Sequence, residues 1–196
     1  METTVIPVGE AMTTEIKKYG AMARRAFLAG GLAAPGMLLM PGAASAQGFR
    51  LRRLNLINAH TGDRFDDAYW EKGRYIPDAL EEIDWLLRDV RADAVARMDR
   101  SLLDILSSLT FLLQPRHPFV ILSGYRTPRT NRMLRRENHG VAEHSMHIVA
   151  RAVDICCEGV RLSDLRRAAE RLKAGGVGYY PESGFVHVDT GPIRYW

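Results

Sequence analysis

Two separated stretches carry side chains able to hold a metal ion: Ser145-Met-His147-Ile-Val-Ala150-Arg-Ala152-Val-Asp154 and, later in the chain, Phe185-Val-His187-Val-Asp189. Together they supply two imidazoles and a carboxylate, the ligand set of an open catalytic zinc site. Two histidines and one acid leave a fourth tetrahedral position for water, whereas a structural site fills all four. Water on zinc ionises near neutrality, so the chemistry implied is hydrolysis. A single histidine is more often a surface or satisfied core residue than a ligand, and only the combination points to metal.

The ligands have to be positioned by strands and the loops between them. Phe185 to Thr190 reads as a strand, so His187 and Asp189 leave the same face. Ala152 to Cys157 reads as a second strand carrying Asp154, and Val141 to Ala150, with no clear period, as the loop that presents His147. Upstream, Arg52 to Asn58 is an expected first strand, followed by a turn at His60-Thr-Gly62-Asp63. Helical spacing runs from Pro77 to about Arg91, and an apolar helix from Ser101 to Leu113 ends before Pro115 and Pro118. Phe119 to Leu122 is a short buried strand closing on Ser123-Gly124-Tyr125-Arg126, and Pro128 to Asn138 is a basic helix broken by His139-Gly140. Ser163 is the expected cap of a helix to about Ala174, after which Val177 to Tyr180 and Phe185 to Thr190 form a hairpin around Pro181-Glu-Ser-Gly184. Helices first and strands later predict a single α+β domain with a small antiparallel sheet.

Residues 1–46 read as an export signal. Arg24-Arg25-Ala-Phe27-Leu28 is a twin-arginine pattern, an interrupted apolar run extends to Met40, and Ala44-Ser45-Ala46 is a cleavage signature, with Met22 an alternative start. The run is too short and too broken by Gly and Pro35 for a stable membrane span. The expected partner of this leader is the twin-arginine export machinery, and the expected location is the periplasm. The remaining domain, 47–196, keeps 23 basic and 20 acidic side chains, a charge of +3. That balance is too small and scattered for nucleic-acid binding, although Arg132, Arg135 and Arg136 cluster. Cys156 and Cys157 are adjacent, a spacing unsuited to an ordinary disulfide between strand neighbours. They read as one buried hydrophobe and one thiol facing the site, with Cys156 as an auxiliary metal group the sharper alternative.

At these residues the chain resembles peptidase family M15, and within it the branch of exported murein endopeptidases. The pattern S-x-H-x-x-G-x-A-x-D matches Ser145, His147, Ala152 and Asp154, and the closing H-x-D matches His187 and Asp189. Ser123 to Arg126, Gly175 to Tyr180, Thr190-Gly-Pro192 and His60-Thr-Gly62 match as well. The resemblance implies a hedgehog/D-Ala-D-Ala peptidase-like fold with zinc on His147, Asp154 and His187. It implies that Arg126 stabilises an oxyanion and that Ser145 contacts substrate, against the plainer readings of a surface ion pair and a turn-forming hydroxyl. Two departures stand out. The motif glycine is Ala150, and the acid that many members place three residues before the final histidine is Gly184; Glu182 does not match that position. The remaining carboxylate, Asp189, is taken as the general base, with orientation of His187 as its alternative. His144, His60 and His139 have no assigned role.

The implied function is a zinc metallo-endopeptidase hydrolysing peptide cross-links of peptidoglycan in the bacterial envelope, recognising stem peptides through the catalytic cleft itself. The alternatives are a non-catalytic zinc-binding envelope domain and a carboxypeptidase or dipeptidase trimming stem peptides.

Overall fold

The computed structural model describes residues 51–137 and 141–196. The leader with its arginine pair and cleavage signature, and His139 with Gly140, lie outside the described residues. Leu51–Asn58 forms β1, which turns back at Asn58–Asp63 and pairs antiparallel with β2, Arg64–Glu71. β3 is Arg74–Tyr75, and helix α1 follows over Pro77–Leu86. Helix α2 is Arg100–Leu113, capped by the Asp99 carboxylate, which accepts the Ser101 N–H at 2.9 Å. β4, Phe119–Ser123, leads to α3, Pro128–Glu137, and then to β5, Ala152–Cys157. Helix α4 is Leu162–Leu172, and the chain closes with β6, Gly176–Tyr180, β7, Phe185–Asp189, and β8, Arg194–Tyr195.

All eight strands join one sheet in the order β3-β2-β1-β4-β5-β7-β6-β8. The sheet is therefore larger than the small antiparallel one expected, and it is mixed, because β1 runs parallel to β4 and β6 parallel to β8. The fold class stands as a mixed α and β domain, but strands precede helices as well as follow them. β2 escapes a period-two reading because Asp66 and Asp67 interrupt its apolar face, and an irregularity between Arg52 and Arg53 shifts the register of its partner. β3 and β8 are two residues each, too short to carry any period.

Period two divides the central strands. Val153 and Ile155 of β5, Val186 and Val188 of β7 and Val177 of β6 are buried in the main apolar cluster, with Leu106 of α2 and Leu165, Ala168 and Ala169 of α4. The residues between them, including Asp154 and His187, turn to the opposite face, where the 3-10 turn Met146–Val149 reaches β5. No helix of the described residues is long and apolar enough to cross a membrane.

Two helix limits differ from expectation. α1 stops at Leu86 because the Asp89 carboxylate accepts the N–H groups of Arg91 and Ala92 at 3.1 and 3.2 Å, a local bonding pattern that competes with another helical turn. α4 is capped at Arg161 with no side-chain hydrogen bond, so Ser163 lies in its first turn and is not the cap. The turn leaving β4 is fixed by close approach. A Cβ on Gly124 would collide with the Leu87 carbonyl oxygen, which already accepts the Tyr125 N–H at 2.8 Å. Asp89 then holds Thr127 through its N–H at 2.8 Å and its hydroxyl at 2.9 Å. Arg126 is thus carried on a loop clamped on both sides.

Candidate metal centre

β5 and β7 are adjacent and antiparallel, and their register sets Asp154 opposite His187 and Ala152 opposite Asp189. Cross-strand partners share a face, so the acid and the imidazole meet without any loop rearrangement. His147 arrives from a 3-10 turn, Met146–Val149, inside the segment expected as loop. The Ser145 hydroxyl accepts the His147 N–H at 3.3 Å to start that turn, and Ala150 ends it in the left-handed region at φ 56° and ψ 37°. The motif position occupied by alanine therefore does require positive φ. A Cβ there costs on the order of 1 kcal/mol, and the methyl is compensated by burial in the core cluster. The turn is tied to the Arg126 loop by the Arg126 N–H, which donates to the His147 carbonyl at 3.1 Å.

The hydrogen-bond partners fix which ring nitrogens carry protons. His147 Nδ1 lies 2.7 Å from the Gly124 carbonyl, which can only accept, so Nδ1 is the donor and Nε2 keeps a lone pair. His187 Nε2 lies 2.9 Å from Asp189 Oδ2, which leaves the lone pair on Nδ1. Those two lone-pair atoms are 3.2 Å apart, and both face Asp154 Oδ1, at 3.2 Å from His147 and 2.8 Å from His187. Three acceptors thus converge in a buried place. The nearby donor, Arg126 Nη2, is 3.4 Å from His147 Nε2 and is committed to Asp154 Oδ2 at 2.6 Å. A cation bonded to all three would satisfy them together. Tetrahedral bonds of about 2.0–2.1 Å to nitrogen and oxygen set ligand atoms about 3.3 Å apart, close to the spacing found. The residues fit a metal ion, and among the described residues they are the group of potential ligands that converges in this way.

Titration follows from the same contacts. Burial alone would raise the Asp154 carboxyl, but the two imidazoles outweigh it and hold it well below the ordinary carboxylate range. Burial pushes His147 below the usual imidazole value. Burial also works against charge on His187, yet its bonds to Asp154 and Asp189 prevail and raise it. The two acids on either side of His187 thus make its second proton easier to hold.

Arg126 and Ser145 lie beside this point. Arg126 Nε donates to the Ser123 hydroxyl at 2.7 Å, so the first and last residues of the Ser123–Arg126 element brace each other. By taking Asp154 Oδ2, the guanidinium turns Oδ1 toward the imidazoles. Asp189 is on the far side of His187. It is wholly buried, and its two oxygens accept from His187 Nε2, the Gly176 and Gly191 N–H groups and both terminal nitrogens of Arg194. Burial by itself would raise it, but those donors, His187 first, hold it far below the normal carboxylate range.

The other candidates fall outside the convergence. Gly184 turns the β6–β7 hairpin at φ +76°, and Glu182 is exposed on it. His144 is exposed, and His60 Nε2 faces the Leu122 carbonyl at 3.0 Å. Cys156 and Cys157 are free and buried, and burial pushes both thiols up to about 11, which keeps them protonated. Sequence reasoning missed Gly124, Asp89 and Arg194. The first two act through a backbone oxygen and a folded-back carboxylate, for which no side-chain pattern exists, whereas Arg194 follows closely on the matched Thr190-Gly-Pro192.

A family model described as peptidoglycan L,D-endopeptidase MepK matches residues 46–196. The peptidoglycan L,D-endopeptidase MepK of Escherichia coli strain K12 is 41% identical over 180 residues, 91% of this chain and 99% of that protein. The probable peptidoglycan L,D-endopeptidase MepK of Haemophilus influenzae is 40% identical over 146 residues, 74% of this chain and 78% of its own. Among solved structures, Serratia marcescens L-Ala D-Glu endopeptidase ChiX is 18% identical, with a TM-score of 0.32 over 39% of this chain and 62% of that one.

Two outcomes follow from this geometry. A raised His187 stabilises the metal-free fold below the unfolded imidazole value of about 6.5, and that contribution is lost as pH rises through the folded value. Metal binding must displace the same proton, so from about pH 6.5 upward the melting-temperature gap between zinc-loaded and metal-free protein widens. A gap that narrows over that range contradicts the tautomers assigned above. For Ala150→Gly, relief at positive φ opposes the lost methyl and the added backbone entropy, each about 1 kcal/mol. Urea unfolding is expected to move by less than about 1 kcal/mol, with zinc affinity unchanged. A tenfold gain in affinity would show that alanine strains His147.

Proposed function

The chain belongs to the peptidoglycan L,D-endopeptidase MepK family, and on that footing we propose that it is a zinc metallo-endopeptidase of the bacterial envelope that hydrolyses peptide cross-links of peptidoglycan. The observation that carries the metal part of this reading is the convergence of His147 Nε2, Asp154 Oδ1 and His187 Nδ1 from three separate elements. The name shared by the relatives supplies the bond class, an L,D cross-link. The twin-arginine pattern supports export of residues 47–196 to the periplasm, with the export machinery and the stem peptides as partners. We assign the fold to the hedgehog/D-Ala-D-Ala peptidase type, supported by the placement of the H-x-D element against the Asp154 strand.

Zinc held by these three atoms would supply a water ionised near neutrality and a Lewis-acid contact for the scissile carbonyl. The protein's own residues do the rest. Gly124 and Asp189 hold each imidazole in the tautomer that turns a lone pair inward. Arg126 keeps Asp154 oriented, and its Nη1 has no protein partner among the described residues, which supports its role toward an oxyanion. Ser145 starts the His147 turn and is half-buried beside it, so its hydroxyl supports ligand placement more than substrate contact. Asp189 supports positioning over base catalysis, because all its lone pairs are engaged and it lies behind the ring.

Mass spectrometry of cross-linked muropeptides after digestion tests the proposal. Zinc-loaded protein is expected to release products cut at the L,D bond, and His187→Ala to release none while losing zinc; no product from the zinc-loaded protein overturns it. Asp189→Asn separates the two roles of that acid. As a positioning group its loss weakens zinc affinity about 10–100-fold, with turnover recovering at saturating zinc. Full zinc occupancy with turnover abolished would instead make Asp189 the base.

A further inference from the structure

Trp196 lies against the candidate metal centre in a seat that the sheet appoints for it. Gly178 of β6 is the cross-strand partner of His187, so a side chain there would stand beside the imidazole. It has none, and a Cβ would come within 2.7 Å of the Trp196 ring. The indole fills that place, with its ring centre 5.4 Å from that of His187. Its backbone is fixed to β6 on both sides, the Tyr179 N–H donating to the Trp196 carbonyl at 2.8 Å and the Trp196 N–H to the Val177 carbonyl at 3.2 Å. The ring is held as well: Nε1 donates to the Tyr180 hydroxyl at 2.7 Å, and the Arg194 guanidinium, already bound to Asp189, sits 4.9 Å from the ring centre. Tyr180 in turn stacks on Phe185 at 4.6 Å. The result is a row of three aromatic rings leading away from His187 on the same face of the sheet.

This arrangement is more than packing. Trp196 remains 47% exposed although its backbone N–H, one backbone oxygen and Nε1 are all hydrogen-bonded, so a rigid apolar surface is presented to solvent next to a metal ligand. Rigid aromatic surface binds with little entropy loss, since its rotamer is already chosen. Its distance from His187 limits what can touch it. A peptide residue spans about 3.5 Å, so the contact is within one or two residues of a bond held at the metal, and a sugar at the far end of a stem peptide is out of reach.

We propose that Trp196 is a substrate-binding residue and that the row Trp196–Tyr180–Phe185 takes the aliphatic part of the cross-linked peptide on one side of the scissile bond. The proposal rests on the reading of the chain as a cross-link hydrolase. It makes Gly178 the residue that creates the subsite and Tyr180 the one that orients the indole.

Kinetics on a purified cross-linked muropeptide dimer, with zinc content measured alongside, test it. Trp196→Ala is expected to raise KM about tenfold or more with zinc stoichiometry unchanged, and Trp196→Phe, which keeps a ring, to recover most of the loss. Calorimetric binding of the same dimer to metal-free protein is expected to weaken in parallel for Trp196→Ala, independently of turnover. If wild-type protein hydrolyses no dimer, the cross-link reading itself falls. If wild type hydrolyses it and Trp196→Ala keeps KM and dimer affinity within about twofold, the subsite is overturned while the function stands. A fall in kcat with lost zinc in both variants overturns it too, since the ring would then act through His187.

Discussion

Each imidazole at the centre has one nitrogen committed to an acceptor that cannot change its role, the Gly124 carbonyl for His147 and the Asp189 carboxylate for His187. That commitment forces both remaining lone pairs toward Asp154 and creates a buried concentration of acceptors that only a cation or a shared proton can neutralise. Much of the neighbouring structure holds this arrangement in place. Asp189 is buried without becoming an uncompensated charge because five donors converge on it, from His187, the Gly176 N–H of β6, the Gly191 N–H after β7 and two nitrogens of Arg194. An unpaired carboxylate in that position would cost several kcal/mol, so the strand ends and the Gly175-Gly176 approach are bound to its solvation.

The sheet and the loops divide the labour. Antiparallel register between β5 and β7 delivers Asp154 and His187 with no adjustable part, because directly opposed residues share a face. His147 has no such guarantee and is placed by a chain of backbone contacts: Asp89 holds Thr127, Leu87 holds Tyr125, and the Arg126 N–H holds the His147 carbonyl. A second clamp acts from below, where the Asp99 N–H donates to the Ala150 carbonyl at 2.9 Å and the Asp99 side chain binds Arg151 and Thr190. The left-handed turn at Ala150 is tolerable within that frame, since the neighbours over-determine its conformation.

The grouping of His147, Asp154 and His187 was legible through the motifs the chain shares with family M15, and the central strands through their period. His187 and Asp189 two apart on a strand could only share a face, and they do. The relation of Asp189 to His187 was not legible, because a two-residue spacing is the same for a base facing substrate and for an acid behind a ring. Its surroundings were hidden too, since four of its five donor contacts come from backbone N–H groups or from Arg194. β2 is hidden by its Asp pair and a register shift, and β8 by its length, which is why the sequence predicts a small antiparallel sheet. The place of Trp196 was hidden for a related reason: a parallel pairing of two residues brings it beside Gly178, and nothing local in either segment announces that contact.

The central claim is that two imidazole nitrogens and one carboxylate oxygen, with no sulfur, complete the protein's share of a zinc site. X-ray absorption at the zinc edge of the loaded protein measures this directly. The account predicts a first shell of nitrogen and oxygen only, at about 2.0–2.2 Å, with two imidazoles in the outer-shell pattern. A scatterer at about 2.3 Å, the distance of a thiolate such as Cys156, or a shell holding more than two imidazoles would contradict it.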